Sequence, residues 1–174
     1  MNQNYRDLVE ISRIINQKLG EKGGKIQRVL SGPVCLDFQV RIPGESLHLY
    51  LARGSGFCGL WEVGKPIPSA YRIQDKFLEL MRKELKNARL WKIEVDSGER
   101  IISFQVGQKK KRKAANFFMK RNQLFVTIES EGFLFKSWTG QRQKKEESQG
   151  FLLASSFDEL GRETARHQFF AHNL

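Results

Sequence analysis

The stretch VCLDFQVRIPGESLHLYLA, Val34 to Ala52, decides the fold. Val34, Leu36, Phe38, Val40 and Ile42 alternate with Cys35, Asp37, Gln39 and Arg41, the period of two that marks a strand with one buried face. Pro43-Gly44 then presets a tight turn, because proline fixes φ and glycine tolerates positive φ. Leu47, Leu49 and Leu51 resume the alternation against His48, Tyr50 and Ala52. So short a connection joins antiparallel neighbours, since parallel strands need a long crossover. The unit is an antiparallel hairpin, with His48 on its outward face.

Upstream, Leu8, Ile11, Ile15 and Leu19 repeat at helical spacing over residues 5–19, and Gly20, Gly23 and Gly24 stop the helix. A short extended piece follows at 25–30. Downstream, 57–63 continues the strands until Gly64, Pro66 and Pro68 break them. A second helix is predicted over 71–87, burying Ile73, Phe77, Leu80, Met81 and Leu85. Residues 91–95 and 100–106 form a hairpin across Asp96-Ser97-Gly98, and 124–129 pairs with 133–138. Lys109 to Lys113 reads as a basic loop. Helix, strands, helix, strands, helix with short connections predicts an α+β domain of antiparallel sheets and hairpins flanked by helices.

The chain has 174 residues, 40% of them apolar, enough for one domain with a true core. No apolar run is long enough for a membrane-spanning helix, and Met1-Asn2-Gln3-Asn4 lacks the apolar core of a signal peptide, so a cytoplasmic protein without membrane insertion is expected. Cys35 and Cys58 form no metal or redox motif and are expected to be buried free thiols. His48, His167 and His172 have no ligand spacing around them and read as surface histidines; neither a metal nor another cofactor is expected. No nucleophile elbow or zinc-protease motif occurs, so the expectation is a protein that is not an enzyme.

The charge is the strongest chemical signal. Thirty Lys and Arg against nineteen Asp and Glu give a formal net charge of +11, in the range where a polyanionic partner is expected. Lys109, Lys110, Lys111, Arg112 and Lys113 run without interruption, a solvated loop or a phosphate-binding patch. Most of the 13 phenylalanines and 3 tryptophans are needed for the core, so none is assigned to stacking on a base.

The segment RKELKNARLWKIEVDSGERII, Arg82 to Ile102, resembles the middle of the N-terminal domain of the NFACT family. These are ribosome-quality-control proteins also known as fibronectin-binding protein A homologues. The resemblance is carried by Arg82-Lys83-Glu84-Leu85, Arg89-Leu90 and Glu99-Arg100-Ile101-Ile102, with Gly23-Gly24-Lys25-Ile26 and the strand pair from Leu36 to Leu51 upstream. It covers about the first three quarters of the chain. Glu99 replaces the family's aspartate, and Glu129 to Leu134 departs from its basic segment.

The resemblance implies a fold like that domain, itself similar to the N-terminal domain of formamidopyrimidine-DNA glycosylases, and a non-catalytic module that binds tRNA or the rRNA of the large ribosomal subunit. Met1-Asn2-Gln3 lacks the glycosylases' N-terminal proline. Glu99 and Arg100 inherit the tRNA-recognition role, with Lys109, Lys110, Lys111, Arg112, Lys113, Arg82 and Lys83 supplying phosphate contacts. Expected boundaries are an NFACT-like domain at 1–138, a polar mobile loop at 139–150, and a C-terminal strand and helix at 151–174. That last segment packs on the domain or leads to a missing coiled coil. Other NFACT modules are implied partners if the chain is an excised domain. The alternative function is a fibronectin-binding-type adhesion or protein-interaction module.

Overall fold

In the computed structural model, residues 3–52, 59–96, 101–120, 123–129 and 135–139 are described. Helix α1 spans Tyr5–Leu19. It starts where Asn4 accepts from the Asp7 amide while the Asp7 carboxylate accepts from the Asn4 amide, a reciprocal cap. Strands β1 (Gly24–Ser31), β2 (Cys35–Ile42), β3 (Glu45–Ala52) and β4 (Leu60–Val63) precede a single turn at Ser69–Tyr71 and helix α2 (Lys76–Leu85). Strands β5 (Arg89–Val95), β6 (Ile101–Gln108), β7 (Lys111–Lys120), β8 (Gln123–Glu129) and β9 (Phe135–Thr139) follow. Among the described residues all strand pairings are antiparallel in one sheet, ordered β4-β3-β2-β1-β5-β6-β7-β8-β9. This is the α+β class that the sequence predicts.

Two meanders meet at a narrow joint, β1 against β5, whose register contains only Gly24↔Leu90 and Lys25↔Arg89. Glycine is required there. Gly23 has φ of 64°, and a Cβ on it would sit 2.4 Å from the Leu90 carbonyl oxygen; one on Gly24 would sit 2.5 Å from a Val40 methyl.

The sheet curls. At a strand spacing of about 4.8 Å, a flat sheet would hold β2 and β6 about 14 Å apart and β2 and β7 about 19 Å apart. Yet the Phe38 ring lies 5.2 Å from Phe104 and 5.7 Å from Phe117, and those two are 4.9 Å apart, all edge to face. The three rings are buried at the centre of one core that draws on both meanders and both helices.

Helix α1 packs against β5 and β4, which stand four places apart in the sheet. Two side-chain amides complete the contact by acting as short strand partners. Asn16 donates to the Ile93 carbonyl at 2.7 Å and accepts from the Ile93 amide at 2.8 Å. Gln3 does the same with Leu60, both bonds at 2.8 Å. Backbone groups left open where β1 diverges from β5, and at the edge of β4, are thereby satisfied.

Several expectations need correction. Lys109 to Lys113 is not a loop: Lys109 and Lys110 form the β6–β7 turn, and Lys111 begins a ten-residue strand. The second helix starts five residues late, because the Asp75 side chain caps it by accepting from the Leu78 amide; Ile73, outside the helix, is exposed. The extended piece at 25–30 is a full eight-residue strand. Cys35 is partly exposed rather than buried. The 139–150 and 151–174 segments lie outside the described residues apart from Thr139, as do Cys58, His167 and His172.

Candidate functional site

Cross-strand register assembles a row of cations. Lys25 on β1 pairs with Arg41 on β2 and with Arg89 on β5, so the three side chains are neighbours on one face. One step beyond the Leu90↔Val106 pair the row reaches Gly107, which pairs with Arg112 on β7. The flanking residues Gly24, Leu90 and Val106 face the other way and are buried, while Arg41, Lys25, Arg89 and Arg112 are all exposed.

Gly107, at φ of 108°, leaves a gap in the row that the Trp91 indole occupies, its Nε1 donating to the Gly107 carbonyl at 2.8 Å. Two guanidiniums lie over this indole, Arg112 at 5.0 Å and Arg89 at 5.8 Å from the ring centroid. Contacts of this kind contribute about 0.5–1 kcal/mol at exposed sites and fix the planes of the charged groups. Each arginine is also anchored through one nitrogen to a neutral oxygen: Arg89 to the Lys22 carbonyl at 2.7 Å, Arg112 to Gln105 at 3.2 Å, Arg41 to Ser46 at 3.3 Å.

The residues that the sequence singled out divide. Lys109 and Lys110 are exposed in the turn at the end of the row, and Lys111 is exposed one strand position before Arg112, on the face opposite to it. Lys113 points away from it and is tied to α2, donating to the Glu84 carbonyl at 2.9 Å and its carboxylate at 3.3 Å. Arg82 is half-buried and donates to the Val29 carbonyl at 3.1 Å, and Lys83 is exposed on the last turn of α2. Glu99 and Arg100 lie outside the described residues. A strand reverses its face at every residue, so Lys111, Arg112 and Lys113 cannot all point to one side. Lys25, Arg41 and Arg89 were missed because register, not sequence proximity, brings them together.

His48 is buried, not on the surface: its Nδ1 lies 3.3 Å from Asp37 Oδ1, and Asp37 Oδ2 accepts from the Ile67 amide at 3.2 Å. The segment after β4 crosses this outer face, fastened also by the Tyr50 hydroxyl donating to the Lys65 carbonyl at 2.7 Å. Burial pushes the Asp37 carboxyl above its ordinary value, although the Ile67 amide and His48 pull the other way. Burial and the nearby Asp37 charge push the Tyr50 phenol up to about 12. This cluster is closed to a substrate. An open groove of about 690 Å³ between α1 and β5 is lined by Val9, Ser12, Ile93 and Val95, and its charges are spent internally, Arg13 on Glu10 and Lys92 on Glu94. Among the described residues no three His, Cys, Asp or Glu side chains gather to hold a metal ion, and no helix is long and apolar enough to cross a membrane.

Neither a family model nor a curated protein matches the chain. Solved structures do. The N-terminal part of the fibronectin/fibrinogen-binding protein of Streptococcus suis superposes with a TM-score of 0.65 at 15% identity, covering 87% of this chain and 59% of that one. The N-terminal domain of the fibronectin-binding protein PavA of Streptococcus pneumoniae gives 0.63 at 17% identity, with 87% and 61% covered. The fibrinogen-binding protein of Staphylococcus aureus gives 0.54 at 14% identity, with 84% and 54% covered. The chain spans about three fifths of the first two. It shares their fold.

These matches correct the partner expected from the NFACT resemblance. The solved domains that share the fold are described as fibronectin- and fibrinogen-binding, and tRNA and rRNA are withdrawn as partners.

Proposed function

We propose that this chain is a non-catalytic protein-interaction module of the fibronectin- or fibrinogen-binding kind. The observation that carries the reading is the shared fold, which runs through 87% of the chain in two separate streptococcal proteins described by that binding. The surface that serves it is the cation row with Lys109 and Lys110 at its end, mounted on four strands and exposed, whereas the segment after β4 covers the Asp37–His48 part of the same sheet face. Arginine and tryptophan are the residue types that concentrate binding energy in protein interfaces.

The test is direct. The full chain is passed over immobilised fibronectin and, separately, fibrinogen, with serum albumin as the reference surface. Saturable binding to one of the first two, weakening as salt rises from 50 to 300 mM, is expected. Signals equal to albumin on both surfaces would dismiss the reading.

A further inference from the structure

We infer that the row Arg41–Lys25–Arg89–Arg112, with Trp91 set into it, docks an acidic extended segment of a partner protein through its side-chain carboxylates. The inference rests on the protein-interaction reading and names the chemistry of the partner.

Three observations point to it. Like charges placed directly opposite on neighbouring strands destabilise a sheet, and here Lys25 faces an arginine on each side. Four cations elsewhere on the described surface are ion-paired, Arg13 with Glu10, Lys18 with Glu62, Lys92 with Glu94 and Lys113 with Glu84. Among the described residues none of the four row cations has an ion pair with a carboxylate. The row is a surplus of one sign, maintained at a cost that an anionic partner relieves.

The second observation is orientation. Arg41, Arg89 and Arg112 each commit one terminal nitrogen to a neutral oxygen. The remaining donors of each fork are left for a planar, two-oxygen acceptor, the geometry of a carboxylate. Little side-chain entropy remains to be lost when that acceptor arrives.

The third is the state of Trp91. A nucleic-acid platform offers an aromatic face to a base, whereas this indole is already engaged by two guanidiniums and held by Gly107. From β2 to β7 the row crosses four strand spacings, about 19 Å along the sheet, which an extended peptide at about 3.3 Å per residue covers with six residues. Acidic side chains at alternate positions of such a segment all face the row.

The experiment uses the full chain and a fluorescein-labelled eight-residue peptide alternating glutamate and serine, followed by anisotropy. Arg89→Gln/Arg112→Gln is expected to weaken binding at least tenfold, and Lys25→Gln, which leaves Trp91 untouched, about threefold. Lys65→Gln/Lys76→Gln removes the same two charges off the row and is expected to change affinity less than twofold. Equal losses in the two double variants would reduce the effect to net charge and overturn the inference. So would no binding by the wild type, or tighter binding of a single-stranded RNA of equal charge. The same variants on fibronectin and fibrinogen separate the two ideas. Retained binding by Arg89→Gln/Arg112→Gln overturns the row while leaving the module's function standing. Peptide binding that depends on the row, with neither protein bound by the wild type, upholds the row and removes the function.

Discussion

Asp37 shows how one side chain can reverse a sequence-based reading. On alternation alone it belongs with the outward residues of β2, yet it is fully buried, because residues 64–73 fold back over that face and the Ile67 amide needs an acceptor. Its carboxyl is raised above the ordinary value of 3.8, with burial the largest cause. The folded state therefore holds this proton more tightly than the unfolded chain does. The resulting stability is fully present below pH 3.8 and is lost as pH rises through the higher native value. Asparagine can accept from Ile67 and donate to His48 without carrying a charge. Asp37→Asn should accordingly flatten this contribution and be at least as stable as wild type at pH 7. Asp37→Leu, which strands the Ile67 amide and the imidazole nitrogen, should lose about 1–3 kcal/mol. Urea titrations of all three between pH 3.5 and 7 check this; a wild type that gains on Asp37→Asn as pH rises would contradict it.

At the scale of elements, a polar side chain joins the apolar stripe in placing α1. Leu8, Ile15 and Leu19 make it amphipathic, but the two bonds from Asn16 to Ile93 fix its height along β5. Asn16→Ala should cost about 1–3 kcal/mol, two hydrogen bonds at roughly 0.5–1.5 each. Hydrogen exchange should show the Ile93 amide losing protection. Asn16→Asp keeps the acceptor and should preserve that protection, while the lost donor still lowers the denaturation midpoint. An unchanged Ile93 exchange rate in Asn16→Ala would show that packing alone places the helix. The start of β7 carries the same lesson in reverse. Lysine and arginine have poor strand propensity, and Lys111, Arg112 and Lys113 are extended because Gln108, Gly107 and Val106 offer them a partner.

For the whole molecule, the contact of Phe38 with Phe104 and Phe117 joins the first meander to the second across the curl of the sheet. Phe104→Ala should cost about 3–5 kcal/mol, as for a fully buried ring. The loss should appear in amides of β2 and β3 as well as β6 and β7, in a single unfolding transition. Protection lost only in β6 and β7 would mean that the meanders stand as separate units. The sequence by itself determined the antiparallel α+β class, helix α1 to the residue, and the hairpin of β2 and β3, because periodicity and turn chemistry are local. It also showed that the protein is strongly basic. Only the tertiary structure decided where the charge acts. Arg41, Lys25, Arg89 and Arg112 are separated by up to 87 positions in the chain, and they become neighbours through strand register across a joint that two glycines permit. Register and curl are settled by contacts between distant segments, which no local pattern encodes.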